Sequence, residues 1–272
     1  LDCLVVLGGN GTHKTANLLR ENGLNVVTLP KTIDNDLYGT DMTFGFQSAV
    51  DIATDCIDMI HTTASSHGRV FIVEVMGHKV GYLTLNAGIA GGADIILIPE
   101  IPYDIDKVVE KIESRKRAGR LFSLIVVAEG ARPKNGQVTI KKVVEATPGL
   151  DSVRLGGIGE QLAIELEELT GTVTKNTTLG YVQRGGVPTS YDRILSTRYG
   201  YKAMELAMNG IFNVMVVLNG SHLEYVTLEA VVGENTQIGA ASGGNSKTNI
   251  KRVGIDDELV IAARNIGICF GD

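Results

Sequence analysis

The run Pro30-Lys31-Thr32-Ile33-Asp34-Asn35-Asp36 gathers a lysine, a hydroxyl and two carboxylates in one short stretch. It follows an apolar segment, 24–29, that reads as a buried strand, so it sits just past a strand's C-terminal end. In open α/β sheets the crevice beyond those ends is where ligands bind. Thr32, Asp34 and Asp36 are spaced by two, which in an extended segment puts them on one face. One carboxylate could then take a proton from a substrate hydroxyl while the other positions a hydroxyl or a Mg²⁺. Lys31 could hold a phosphate oxygen. The alternative is an Asx-type turn in which Asp34 and Asn35 bond their own backbone.

Other residues have the same double reading. Gly8-Gly9-Asn10-Gly11-Thr12 is a glycine-rich strand-to-helix turn, suited to a close approach of phosphate, or simply a tight turn. It is not a P-loop, because His13 stands where the second glycine belongs, and the third glycine of a dinucleotide fingerprint is missing. Arg69 and Arg184 are phosphate clamps or surface ion-pair partners, and Lys175 and Arg193 share that ambiguity. Glu129 either accepts hydrogen bonds from sugar hydroxyls or caps a loop. His67 and His78 read as hydrogen-bonding rather than catalytic, and no second His or Cys at metal spacing accompanies them. Cys56, on an apolar helix face, reads as core.

These residues need a frame. Apolar runs at 4–7, 24–29, 70–76, 94–99, 121–128, 173–179 and 214–218 read as strands. Helical periodicity covers 44–63, 80–90, 104–118, 158–169, 191–208 and 256–265, with a further helix ending near Gly23. Ser65-Ser66-His67-Gly68-Arg69 reads as an interruption, 133–149 as a surface hairpin or loop, 228–232 as a short apolar piece, and 240–249 as a loop. The alternation means βαβ units and a parallel sheet covered on both faces. The clusters at 8–12, 31–36, 76–79, 129–132 and 183–186 all follow apolar runs, so they fall on one rim of a sheet.

Composition narrows the function classes. A chain of 272 residues can bury a sizeable core, in one large domain or two lobes. A net charge of −6 without a basic run argues against nucleic-acid binding. No apolar segment reaches the ~18 residues of a membrane span, no signal peptide is read, and a cytoplasmic location is expected. Cys3, Cys56 and Cys269 are odd in number, lack metal-ligand spacing and fit a reducing compartment. The chain opens on Leu1 and runs straight into a strand that reads as buried and central, so a preceding segment is expected.

Taken together the residues resemble the 6-phosphofructokinase family. The likeness rests on Gly8-Gly9-Asn10-Gly11-Thr12, the Pro30–Asp36 run, Gly39-Thr40-Asp41 with Thr43-Phe44-Gly45, and Ser65-Ser66-His67-Gly68-Arg69. It continues through Val73-Glu74-Val75-Met76-Gly77, Ala90-Gly91-Gly92, Pro99-Glu100, Ala128-Glu129-Gly130, and Leu179 to Gly186 with Tyr191-Asp192-Arg193. The Thr-Ile-Asp-Asn-Asp and Gln-Arg-Gly-Gly runs are specific in combination, whereas the glycine turn alone is also similar to that of NAD and lipid kinases.

The resemblance implies an α/β fold of two lobes, each a mainly parallel sheet flanked by helices, with the active site in the cleft between them. Residues 1–45 plus 183–233 would form the donor-side lobe, incomplete at its N-terminus. Residues 46–182 plus 234–272 would form the sugar-phosphate-side lobe. The implied reaction is Mg²⁺-dependent phosphoryl transfer from ATP to the 1-hydroxyl of fructose 6-phosphate, a step of glycolysis that gives fructose 1,6-bisphosphate. Asp34 is implied as the base, with Thr32 and Asp36 beside it. Gly9, Asn10, Gly11, Thr12 and Lys31 are implied on the donor side. Asn10 stands where a metal-linked acid is common, and is the implied metal contact. Met76, Gly77 and Glu129 match sugar contacts, and Arg184 matches a residue on the sugar phosphate. His78 and Tyr181 replace residues that are often Arg and His on that side. Arg69 matches an arginine that reaches a neighbouring subunit's sugar-phosphate site, and Lys175 stands where that site usually has another arginine. A homodimer or homotetramer with shared sites follows from the resemblance.

Two positions bear on the donor. Gly11 leaves room for a nucleotide α-phosphate, whereas Lys31 is a residue that binds pyrophosphate. A misplaced charge is harder to evade than an extra lysine, so ATP is the expected donor and pyrophosphate the alternative. A third reading, prompted by Asn10 and the expected missing segment, is a regulatory subunit that binds sugar phosphate without turnover.

Overall fold

The computed structural model of the protein describes residues 1–143, 153–233 and 249–272. In chain order the elements are β1 (Leu4–Gly8), α1 (Asn10–Glu21), β2 (Val26–Pro30), α2 (Phe46–His67), β3 (Val70–Val75), α3 (Tyr82–Ala90) and β4 (Ile95–Leu97). Then come α4 (Ile105–Arg117), β5 (Ser123–Ala128), β6 (Ile140–Val143), β7 (Val153–Leu155), α5 (Ile158–Thr170), β8 (Thr174–Thr178) and a 3₁₀ turn over Gly180–Arg184. The chain continues with α6 (Ser190–Met208), β9 (Val214–Asn219), β10 (His222–Thr227), α7 (Leu228–Val232) and α8 (Glu258–Asn265). The expected α/β architecture of parallel sheets flanked by helices is present. The described residues divide into two units, one of 1–47, 188–233 and 249–251, the other of 48–143, 153–187 and 252–272.

The first unit is built on a sheet of order β1-β2-β9-β10, parallel except for the β9–β10 hairpin. Alternation along β2 and β9 sends Val27, Leu29, Val214 and Val216 to one face, against Leu195, Tyr199 and Ala203 of α6. It sends Val26, Met215 and Val217 to the other, against Ala16 of α1 and Leu228 and Val231 of α7. Each fully buried Val or Leu contributes about 1.5–3 kcal/mol, so the sheet and its two helical layers stabilise one another.

The second unit has an all-parallel sheet of order β4-β5-β3-β8. Every residue of β3 and β5 is buried, as expected of central strands covered on both faces. Val70, Ile72, Ile125 and Val127 pack against Val108 and Ile112 of α4 and Leu162 and Leu166 of α5. Helix α3 covers the other face closely: a Cβ on Gly88 would come within 2.8 Å of Ile96. β6, in the stretch expected to be a surface hairpin or loop, pairs as an antiparallel ribbon with β7, which lies beyond that stretch. Residues 144–149 of that stretch, and 240–248 of the second expected loop, lie outside the described residues.

Three elements differ from the sequence reading. Among the described residues β1 lies at the edge of its sheet and is only half-buried, with Leu7 54% exposed, where a buried central strand was expected. Helix α2 is not broken at Ser65. It runs on to His67, because Ser66 Oγ and His67 Nδ1 bond back to Thr63 O (3.0 and 3.1 Å), and Gly68 (φ 59°) then ends it. Strand β10 was not anticipated. Its inner partner β9 is a plain apolar run, but β10 itself is mostly exposed and polar.

Candidate active site

In the first unit β1 and β2 are parallel neighbours in register, Gly8 opposite Pro30. The glycine turn and the Lys31–Asp36 run therefore leave adjacent strand ends side by side. Lys31 N donates to Gly8 O (3.0 Å), and a Cβ on Gly9 would rest 3.5 Å from Thr32 Cβ. Gly8 is required for packing: a Cβ there would come within 2.2 Å of Thr12 Oγ1. Helix α1 then starts at Asn10, with Gly9 as N-cap and no side-chain cap. Its first amides carry the partial positive charge of a helix N-terminus, which favours an anion.

The Lys31–Asp36 run is not extended, so the expectation that Thr32, Asp34 and Asp36 share one face by alternation is not met. The chain bends at Ile33 and Asp34, and Asn35 is left-handed (φ 53°), a conformation that Asn tolerates. Thr32 Oγ1 accepts from Asp34 N (3.2 Å) and lies 3.4 Å from Asp34 Oδ2. This hydroxyl turn fixes the half-buried Asp34. Asn35 does not make a local Asx turn. Its side chain accepts from Thr43 N (2.9 Å) and donates to Asp41 O (3.2 Å), tying down the next loop. Asp36 is buried, and Asn10 Nδ2 donates to its Oδ2 (2.5 Å). The structure thus pairs Thr32 with Asp34 and Asn10 with Asp36, while Lys31 is exposed.

Beneath the turn lies His13, 1% exposed on α1. Its Nδ1 is 2.8 Å from Gly9 O, and a carbonyl only accepts, so Nδ1 carries the proton. Nε2 is buried without a partner, and burial pushes the imidazole pKa down. A neutral ring therefore supports the turn.

In the second unit the ends of β3, β5 and β8 are in register, with Val75 opposite Ala128 and Glu74 opposite Thr178. Met76, Gly77, Glu129, Tyr181 and Arg184 follow these ends and fall on one rim. Gly77 (φ 147°) and His78 (φ 54°) wind the loop after β3 tightly. A Cβ on Gly77 would meet Val80 O at 2.6 Å. Glu129 Oε1 accepts from His78 N (2.9 Å). In the 3₁₀ turn, residues three apart eclipse, and the Arg184 guanidinium lies over the exposed Tyr181 ring at 5.6 Å.

Arg69 and Lys175 are not brought to that rim. Arg69 precedes β3, and Lys175 pairs with Phe71 near the same, N-terminal end of the sheet. At about 3.3 Å per residue this is the opposite end of β3 from Met76. His67 is engaged in ending α2. Sequence reasoning gave no supporting role to His13 or Gln183, and gave Asn35 one only in a local turn. His13 left a signal as a polar residue on the buried face of α1 beside Ala16 and Asn17, and Gln183 as part of the Gln-Arg-Gly-Gly run.

Among the described residues no group of three or more His, Cys, Asp or Glu could hold a metal ion. No helix among them is long and apolar enough to cross a membrane.

The phosphofructokinase family model matches residues 1–207. The chain is 49% identical over 273 residues to ATP-dependent 6-phosphofructokinase 2 of Clostridium perfringens (strain 13 / Type A), covering all of this chain and 70% of the relative. It is 49% identical over 272 residues to ATP-dependent 6-phosphofructokinase of Spirochaeta thermophila, again covering 100% of this chain and 70% of the relative. Phosphofructokinase from Saccharomyces cerevisiae superposes with a TM-score of 0.70 at 31% identity, over 85% of this chain and 32% of that one. The chain thus spans about a third of that yeast chain. A pyrophosphate-dependent phosphofructokinase from Marinobacter aquaeolei superposes with a TM-score of 0.71 at 22% identity, over 94% of this chain and 62% of that one, and shares the fold. On its sequence and its architecture, the chain belongs to the phosphofructokinase family.

Proposed function

We propose that the protein transfers the γ-phosphoryl group of ATP to the 1-hydroxyl of fructose 6-phosphate, with Asp34 as general base. The observation that carries this reading is an aspartate locked by Thr32 beside a glycine turn and a helix N-terminus without a side-chain cap. Phosphoryl transfer needs little covalent help from a protein; it needs in-line geometry and favourable charge around the transferred group. The hydroxyl proton passes to Asp34, the new O–P bond forms at the sugar oxygen, and ADP departs with the electrons of the broken bond. Gly9, Gly11 and Thr12 would bind donor phosphates through the turn and the start of α1.

The residues present fit a Mg²⁺ ion. Such ions take one or two carboxylates together with substrate phosphates, and Asp36, buried and oriented by Asn10, offers one. The ion would offset charge on the donor phosphates. Asn10 acts on this reading by holding Asp36.

Met76, Gly77 and Glu129 would hold the sugar. Arg184 would bind its phosphate, with Tyr181 beside the guanidinium. Arg69 and Lys175, at the far end of the sheet, would serve the sugar-phosphate site of a second copy, which makes the working form a homo-oligomer. The names of the relatives support ATP as donor. One residue favours a second reading: exposed Lys31, on the donor side, suits pyrophosphate.

The test is product formation by the full-length protein from fructose 6-phosphate and Mg²⁺, with ATP and with pyrophosphate in parallel. Fructose 1,6-bisphosphate is expected with ATP. Product with pyrophosphate alone would replace the donor, and sugar-phosphate binding without turnover on either would replace the enzyme by a regulatory subunit.

A further inference from the structure

The loop after β3 carries two of the proposed sugar contacts, yet its backbone is an unfavourable one. Gly77 and His78 are consecutive left-handed residues (φ 147° and 54°), and His78 has a Cβ. A non-glycine residue held in that region costs about 1–3 kcal/mol and persists only where its surroundings over-determine it. The surroundings are specific. β3 lies between β5 and β8 in its sheet, and a side chain reaches the loop from the end of each neighbour. From the β5 side, Glu129 Oε1 accepts from His78 N (2.9 Å). From the β8 side, Gln183 Oε1 accepts from Met76 N (3.3 Å).

Gln183 does more than accept. Its Nε2 donates to Gly180 O (3.0 Å), within the 3₁₀ turn that carries Tyr181 and Arg184. The residue is 1% exposed, whereas Tyr181 is 73% exposed. The same turn thus points one amide inward and an aromatic–guanidinium pair outward. The amide supplies both groups this place needs, an acceptor for Met76 N and a donor for Gly180 O.

We propose that Gln183 is a positioning residue that couples the loop bearing Met76 and Gly77 to the turn bearing Arg184. One buried amide sets the spacing between the groups that hold the sugar and the group that holds its phosphate. The inference deepens the proposed fructose 6-phosphate site and rests on that reading, but the clamp itself is a property of the ligand-free protein.

The experiment therefore has two readouts on the full-length protein and on Gln183→Met and Gln183→Glu. The Met variant keeps the length and loses both bonds. The Glu variant keeps the acceptor for Met76 N and loses the donor to Gly180 O. First, amide hydrogen exchange is measured over Met76–Val80 without ligand. Exchange about tenfold faster at Met76 in the Met variant, with exchange across β3 and β5 unchanged, is expected; unchanged exchange at Met76 would overturn the clamp. Second, steady-state kinetics are compared. The KM for fructose 6-phosphate should rise at least tenfold in the Met variant and less in the Glu variant, with the KM for ATP unchanged in both. Equal rises in both KM values with a lower melting temperature would reduce Gln183 to a structural residue. If the unmodified protein does not turn over fructose 6-phosphate, the proposed reaction fails while the exchange measurement still decides the clamp. If the Met variant does not fold, the Glu variant decides by kinetics: a rise in the KM for fructose 6-phosphate with the KM for ATP unchanged supports the coupling through Gly180 O, and no rise overturns it.

Discussion

Gly8 shows how a single hydrogen atom in place of a side chain holds the donor-side turn together. A Cβ at that position would overlap the Thr12 side chain, with 2.2 Å to Oγ1. Gly8→Ala should therefore displace Thr12 and raise the KM for ATP about tenfold, a factor worth about 1.4 kcal/mol, with the KM for fructose 6-phosphate unchanged. Steady-state kinetics with each substrate varied in turn check this. His13 makes a second residue-scale prediction. Burial lowers its folded-state pKa below the ordinary 6.5. Between those two values the unfolded chain binds more protons than the folded one, so stability falls as pH drops below about 6.5. The fall levels off below the folded-state pKa. Urea midpoints at pH 7.5 and 5.5 should differ less in His13→Met than in the unmodified protein, and an unchanged difference would show that the ring is not held neutral. The glycine turn and the acidic run were both legible in the sequence as strand-end clusters. The roles within them were not. Asn35 looks like any loop Asn until its side chain is seen bonding Thr43 N and Asp41 O, a contact fixed by a bend that no spacing rule encodes.

At the scale of elements, Glu74 locks helix α5 to the centre of the second sheet. It is 3% exposed in β3, and its carboxylate accepts from Gly157 N (3.0 Å) and Gly159 N (2.8 Å) at the start of that helix. A helix N-terminus favours a carboxylate, and removing the partner leaves the half-buried Gly157 amide and the buried Gly159 amide unsatisfied, the buried one at about 1–3 kcal/mol. Glu74→Ala should lower unfolding stability by about 2–4 kcal/mol, read as a shift in denaturant midpoint at constant slope. Elements of this sheet were the easiest to read, because β3 and β5 are Val/Ile-rich runs buried on both faces, with Glu74 as the one charged residue in them. Strand β10 was missed although Asn219-Gly220-Ser221 marks its hairpin, with Gly220 at φ 57° and Asn219 paired to His222. Its exposed, polar face gave no apolar run to follow. The end of α2 was misplaced because the polar run from Ser65 to Arg69 reads as an interruption, whereas here the Ser66 and His67 side chains bond back to the helix carbonyl of Thr63.

At the scale of the molecule, the parallel order of each sheet gathers the strand-end motifs of a unit on one rim. That is why motifs distant in sequence were legible together. The same topology separates Arg69 and Lys175 from the rim of their own sheet. If they complete a second copy's site, Asp34→Asn and Arg69→Ala proteins, each inactive alone, should regain activity when refolded as a mixture. Regained activity up to about a quarter of the unmodified rate would fit shared sites in random dimers, by counting subunit pairings, and none would mean that each copy holds a complete site. The central claim concerns Asp34 and is tested by one number, the turnover of Asp34→Asn against the unmodified protein for ATP-dependent phosphorylation of fructose 6-phosphate. A general base is worth about 10²–10⁴ in rate, so a fall of that size with an intact fold is predicted. Near-normal turnover in the Asn variant would contradict the assignment.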